Sequence, residues 1–96
     1  MTLDPTSLKE LQTSLADRLY LQIAGWHLYL GDAGLAEALA IECSARLNDG
    51  AGVAARQALE AVQVSLAGGS TKLPMARLMP AAQLHDLEEI LEPYCR

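Results

Sequence analysis

The segment from Leu19 to Ala33, with the sequence LYLQIAGWHLYLGDA, constrains the fold more than any other part of the chain. Read with the helical period, it continues a stripe of leucines from the preceding residues, yet it is apolar on nearly every side, and Gln22 is its plainly polar residue. A helix that is apolar all round has to be covered on several faces. We therefore predict one long helix to about Leu30, whose second half lies at the centre of the domain or against a partner. It begins at Ser7, in the capping-box pattern Ser7-Leu8-Lys9-Glu10, or one turn earlier at Asp4 and Pro5.

Length and composition favour a single small helical domain. The 96 residues suffice for one hydrophobic core. Hydrophobic residues make up 51% of the chain, but aromatic residues make up only 4% and phenylalanine is absent, so the core must consist mainly of aliphatic side chains. Leucine and alanine favour helix over strand. We expect residues 1–96 to form one helical domain.

Charge and cysteine usage exclude several classes of protein. The net charge is −5, and the seven basic residues are scattered, which argues against binding to a nucleic-acid backbone. The first ten residues lack the apolar core of a signal peptide, and the longest apolar run is too short to span a membrane. Cys43 and Cys95 are expected to stay reduced in such a chain. We therefore expect an acidic cytoplasmic protein without a nucleic-acid partner or a membrane span.

Glycine and proline positions predict three further helices. Gly31 and Asp32 provide a stop for the first helix and a cap for the next, which we predict over about residues 33–47. A shorter third helix follows over about 53–62. A last helix is predicted from Pro80 to Pro93, with an acidic outer face.

A β-hairpin is predicted between the third and fourth helices. Residues 62–66 alternate apolar and polar side chains, and the turn-forming residues 67–70 separate them from the segment 71–75. Pro74 restricts the second strand to an edge or to its own end, since proline cannot donate a ladder hydrogen bond. A flexible loop is the alternative for this segment. The predicted fold class is therefore mostly α, a small four-helix domain with a short β-hairpin between the third and fourth helices.

The chain shows no catalytic or metal-binding signature. His27, Cys43, His85 and Cys95 are too widely separated to form the closely spaced ligand pairs of a structural zinc site. A cysteine nucleophile needs an adjacent base or a positive environment, and Cys43 has no histidine beside it in the sequence. Residues 68–72 resemble a phosphate-binding loop in composition, but no helix is predicted directly after them. We expect no enzyme activity, no cofactor and no metal site.

The candidate functional surface lies on the second half of the predicted first helix. Trp26 falls on the main leucine stripe and is assigned to the core, whereas Tyr20 and His27 fall on a second track where an interface is as plausible as a core. We predict a non-enzymatic protein–protein interaction module, an adaptor or assembly factor, that binds a protein partner or a second copy of itself. The alternative is a small-molecule or metal-binding helical protein with a pocket near His27, Tyr29 and Cys43. The predicted interface comprises Tyr20, Leu21, Ala24, His27, Leu28 and Tyr29.

The segment IAGWHLYLGDA at residues 23–33, followed by Gly68-Gly69, Leu73-Pro74 and Leu78-Met79-Pro80, resembles a small cyanobacterial family of unknown function. The resemblance spans about residues 15–94. It implies a single-domain protein in a cyanobacterial cytoplasm and, by association only, a link to photosynthesis or carbon fixation. It brings no activity and no catalytic residues.

Overall fold

The computed structural model describes residues 3–23, 26–66 and 71–95, and the side chains of residues 23, 26, 27, 32, 33 and 66 lie outside that description. The helices are α1 (Pro5–Arg18), α2 (Leu30–Ala33), α3 (Ala36–Ser44), α4 (Ala51–Ala61) and α5 (Ala81–Leu91). The strands are β1 (Tyr20–Ile23), β2 (Trp26–Tyr29), β3 (Gln63–Leu66) and β4 (Thr71–Pro74). Short 3₁₀ helices occupy Leu47–Asp49, Met75–Arg77 and Glu92–Tyr94.

The predicted fold class is confirmed. Within the described ranges, α1, α3, α4 and α5 are the four substantial helices, whereas α2 is a single turn. Strands β3 and β4 form the predicted antiparallel hairpin between the third and fourth of these helices, with Gln63 opposite Pro74. Pro74 is the last residue of β4, as its missing N–H requires.

The prediction of one long first helix is wrong. Helix α1 ends at Arg18, and β1 and β2 form an antiparallel hairpin in which Tyr20 lies opposite Tyr29. The segment has a period of two that the helical reading missed: Leu19 and Leu21 are fully buried, whereas Gln22 is exposed. A hairpin has only one face to bury, so an apolar segment of this kind does not need to be covered on all sides.

The predicted second helix is interrupted by a glycine. Gly34 has φ 71° and ψ 24°, the left-handed conformation that ends helices, so α3 begins only at Ala36. Gly31, which we expected to be the helix stop, lies instead against α1. A Cβ atom at Gly31 would lie 3.1 Å from the Cβ of Ala16 and 3.2 Å from its carbonyl oxygen. Gly31 thus allows a close approach between α2 and α1.

Helix α4 packs on both α3 and α5, and α1 packs on α3. Ala54, Ala55 and Ala58 of α4 are completely buried, and their small side chains allow the neighbouring helices to approach its backbone. The aliphatic core predicted from the composition is confirmed. The largest fully buried side chains are Leu11, Leu15, Leu19, Leu21, Leu30, Leu39, Cys43, Met75, Leu87 and Leu91.

Replacing Gly34 and Gly52 by alanine should change stability in opposite directions. Gly34→Ala places a Cβ in the left-handed region and should lower the free energy of unfolding by about 1–2 kcal/mol. Gly52 lies in α4, and a Cβ there would be 3.7 Å from Oε1 of Glu88, an ordinary contact. Gly52→Ala should raise stability by up to about 1 kcal/mol. Urea denaturation of both variants measures this difference, and a stable Gly34→Ala protein would contradict the assigned turn.

Candidate functional site

The β1–β2 hairpin is anchored to the start of α5 through one edge of β1. The N–H of Tyr20 donates to Oε1 of Gln83 over 2.9 Å, and the N–H of Gln22 donates to the carbonyl oxygen of Leu78 over 2.9 Å. The Gln83 side chain is only 6% exposed, and its Nε2 donates to Oδ2 of Asp86 over 3.1 Å. Both ends of this buried amide are therefore satisfied.

The pairing of β1 with β2 determines which backbone groups face outward. The N–H of Leu30 donates to the carbonyl oxygen of Leu19 over 3.1 Å, which continues the ladder beyond the strands. In an antiparallel ladder, successive residues alternately hydrogen-bond towards the partner strand and away from it. Tyr20 and Gln22 point their backbone groups away from β2, towards Gln83 of α5 and Leu78 of the preceding loop. Their partners on β2 point the opposite way. The N–H and C=O groups of His27 and Tyr29 therefore form the outer edge of β2.

This outer edge carries no third strand in the part of the chain that the structure describes, where the sheet consists of β1 and β2. An unpaired strand edge presents a row of hydrogen-bonding groups that can pair with another chain. Protein edges are commonly protected by lysine or proline, and β4 carries both Lys72 and Pro74. Strand β2 has neither residue and contains no arginine, aspartate or glutamate.

Apolar and aromatic side chains flank this edge. Leu28 is 36% exposed and Tyr29 is 42% exposed, which makes them two of the large hydrophobic residues on the described surface. The ring of Tyr29 packs against that of Tyr20 across the strands, with centroids 5.6 Å apart and planes tilted by 57°. This aromatic pair stiffens the outward face of the hairpin.

The structure places five of the six predicted interface residues on this hairpin. They are neighbours through strand pairing and not through a helix face, which corrects the reason for the prediction. Leu21 is fully buried, so its side chain belongs to the core in this conformation. Ala24 lies outside the described residues, as do the side chains of Trp26 and His27. The six predicted positions are Tyr20 and Leu21 on β1, His27, Leu28 and Tyr29 on β2, and Ala24 between the strands.

Gln83 was missed as a positioning residue, although the sequence contained a signal for it. It lies four residues before Leu87 and seven before Ile90, on the buried stripe of α5. A glutamine on the apolar face of a helix has to find partners for its amide. Nothing in the sequence marks Leu78 as the acceptor for the N–H of Gln22, because a backbone carbonyl is present at every position.

Neither cysteine is activated. Cys43 is fully buried, and burial raises the pKa of its thiol to about 12. Burial also raises the pKa of Cys95, which is half-buried. Since the thiolate is the reactive form, neither environment promotes nucleophilic or metal-binding chemistry. The buried Cys43 side chain also cannot line an open pocket next to Tyr29.

Neither a metal cluster nor a membrane-spanning helix is found among the described residues. Across residues 3–23, 26–66 and 71–95, no group of three or more histidine, cysteine, aspartate or glutamate residues could hold a metal ion. No helix in those same ranges is long and apolar enough to cross a membrane.

Gln83→Ala should lower the free energy of unfolding by about 1–3 kcal/mol, because the N–H of Tyr20 loses its acceptor at a buried site. The matched control is Gln57→Ala, the same chemical change at an exposed position of α4. Urea denaturation of both variants, each compared with the parent protein, measures the difference. Equal stabilities of the two variants would contradict the anchoring role of Gln83.

The two thiols should react at very different rates. At pH 8 a thiol with a pKa of about 12 has roughly one thiolate in ten thousand, and Cys43 is also inaccessible. Alkylation of the native protein should therefore modify Cys95 first, with Cys43 reacting only on unfolding. Cys95→Ser should remove the faster reaction. Rapid modification of Cys43 in that variant would contradict the packing of α3.

Comparison with known proteins gives a family but no activity. The model of a family described as a protein of unknown function (DUF3181) matches residues 8–94. This confirms the predicted resemblance to a family of unknown function across most of the chain. No curated protein and no solved structure matches the sequence.

Proposed function

Because the chain belongs to the DUF3181 family, whose function is unknown, we propose its function from the surface that the hairpin presents. The protein is a non-enzymatic protein–protein interaction module that self-associates through the outer edge of β2. The observation that carries this proposal is the difference between the two edges of one sheet. The edge of β1 is occupied by Gln83 and Leu78, whereas no strand among the described residues pairs with the outer edge of β2.

The occupant of this edge is a second copy of the same strand. Two β2 strands can pair antiparallel about a twofold axis at Leu28, so that His27 of one copy lies opposite Tyr29 of the other. These are the residues whose N–H and C=O groups face outward, so the outward groups match each other in this register. The result is a continuous four-stranded sheet with an isologous interface.

Side chains and charge support the same arrangement. Leu28 of each copy lies beside Leu28 of the other at the axis, which buries a side chain that is 36% exposed in the single chain. Each copy carries a net charge of −5, but β2 itself contains no lysine, arginine, aspartate or glutamate. Repulsion between copies is therefore long-range and screened by salt, and self-association should strengthen as the salt concentration rises.

The cellular role of the protein is also part of the proposal. The resemblance to a cyanobacterial family motivates a cytoplasmic role in cyanobacteria, in an adaptor or assembly factor linked to photosynthesis or carbon fixation. To test this setting, the native protein is isolated from cell extract and the size of its complex is measured. The proposal requires that a variant altered at the β2 edge gives a smaller complex.

Tyr29→Pro should abolish self-association more completely than Tyr29→Ala. Tyr29 has φ −68°, which proline adopts without strain, and its outward N–H is the group that proline removes. Both variants lose the ring contact with Tyr20, so their difference isolates the edge hydrogen bond. The dimer dissociation constant of Tyr29→Pro should exceed that of Tyr29→Ala by about tenfold or more, as measured by analytical ultracentrifugation. Equal constants would contradict pairing through this edge.

Leu28→Lys and Ile41→Lys form a second matched pair. Ile41 lies on α3 and is 50% exposed, so it tests the loss of exposed apolar surface away from the hairpin. Leu28→Lys places like charges beside each other at the proposed axis and should leave a folded monomer. Ile41→Lys should associate like the parent protein. Loss of association in Ile41→Lys alone would place the interface on α3.

A further inference from the structure

A half-open cleft lies between α4 and the segment from Ala76 to Leu84, and its described lining residues come from these two parts of the chain. Its volume is about 350 Å³, near the lower end of the range of ligand-binding pockets. Leu59, Met79 and Leu84 provide apolar side chains to it, and the first two of these are almost fully buried. Ala76 and Ala81 line the cleft as well, and because their side chains are short, space remains between the two helices.

Two opposite charges stand at the rim of this apolar cleft. Arg56 and Glu60 are exposed, line the cleft and lie one turn apart on α4. Neither side chain takes part in an ion pair within the described part of the chain, where the ion pairs are Arg46 with Glu42 and His85 with Glu89.

The order of the two residues explains why they do not pair with each other. An acidic residue four positions before a basic one interacts more favourably on a helix than the reverse order. Glu42 and Arg46 have the favourable order and form an ion pair. Arg56 and Glu60 have the reverse order and do not neutralise each other. Each of them can therefore bind a ligand group of opposite charge at the rim.

A third charged residue lies in the neighbourhood of Arg56. Nη1 of Arg56 and Oε1 of Glu88 both lie within 4 Å of the point where a Cβ of Gly52 would be, at 3.9 and 3.7 Å. The guanidinium of Arg56 therefore extends towards Gly52, near the start of α4.

We propose that this cleft binds a small zwitterionic molecule of the class of the aliphatic α-amino acids. The carboxylate of the ligand contacts Arg56, and its ammonium contacts Glu60. The Cβ atoms of residues one helical turn apart are separated by roughly 5–6 Å, and helical side chains lean towards the start of the helix, as Arg56 does towards Gly52. If Glu60 leans the same way, the two charged ends are offset by about one turn, a spacing that both ends of an α-amino acid head group can reach. The aliphatic side chain enters the space lined by Leu59, Met79 and Leu84. This site is independent of the β2 edge.

The first test compares L-leucine with molecules that each lack one recognised feature. 4-Methylpentanoate lacks the ammonium, 3-methylbutylamine lacks the carboxylate, and L-serine lacks the aliphatic side chain. In ¹H–¹⁵N correlation spectra, L-leucine should shift the amides of Leu59 and Leu84 saturably. Each analogue should bind at least about tenfold more weakly, the factor expected for the loss of one charged or apolar contact. Equal responses to all four, or shifts elsewhere only, would overturn the proposal.

The second test alters the cleft itself. Arg56→Gln and Glu60→Gln should each weaken L-leucine binding about tenfold, whereas Arg18→Gln, the same charge removal on the exposed end of α1, should not. Ala81→Leu adds an aliphatic side chain at the cleft and should abolish binding. Because residue 81 is exposed, this variant should still fold, and its spectrum verifies that directly. Unchanged binding in Ala81→Leu would overturn the assignment of the site.

Discussion

The hydrogen bond from the N–H of Tyr20 to the side-chain oxygen of Gln83 determines how the hairpin is oriented on the helices. An isolated two-stranded hairpin is marginal in water, so β1 and β2 need a surface to rest on. Gln83 and the carbonyl of Leu78 provide it at one edge, and the burial of Leu21 provides it on one face. With that edge and that face used, the opposite edge is left outward, and the proposed interface follows from this arrangement.

Small residues govern both the packing of the helices and the gap between two of them. The buried alanines of α4 let α3 and α5 approach it, and Gly31 lets α2 approach Ala16 of α1. Opposite the second half of α4, the side chains of Ala76 and Ala81 are too short to fill the space beside Leu84. This space is the cleft. The same alanine-rich composition that permits a compact helical core in 96 residues therefore also creates the proposed binding site.

The helices outside residues 19–35, and the second hairpin, could be predicted because the apolar period and the glycine and proline positions agree with each other. The start of α1 is at Pro5, one turn before the Ser7 capping box that the sequence also offered. The segment 19–30 could not, because its apolar residues satisfy two periods. Leu19, Ile23 and Leu30 fit a helix, whereas Leu19 and Leu21 fit a strand, and short apolar runs do not distinguish these. Gly25, which is costly within a helix, together with β-branched and aromatic neighbours, favoured the hairpin.

The predicted interface residues remain a prediction, but the structure brings five of the six together on one hairpin. They were grouped because an apolar segment without catalytic groups has to contact something, whichever secondary structure it adopts. Their arrangement depends on Gln83, which is more than sixty residues further along the chain, and no local pattern links it to Tyr20. The cleft also depends on a distant packing, that of α4 against α5, which side-chain periodicity alone does not determine.

Amide hydrogen exchange at several protein concentrations tests the central claim most directly, because it reports each edge of the hairpin separately. The N–H groups of Tyr20 and Gln22 should be protected at every concentration, since α5 and its preceding loop accept them. The N–H of Tyr29 should exchange rapidly in dilute protein and become protected as the concentration rises. Protection of Tyr29 that does not change with concentration, or loss of protection at Tyr20, would contradict the account.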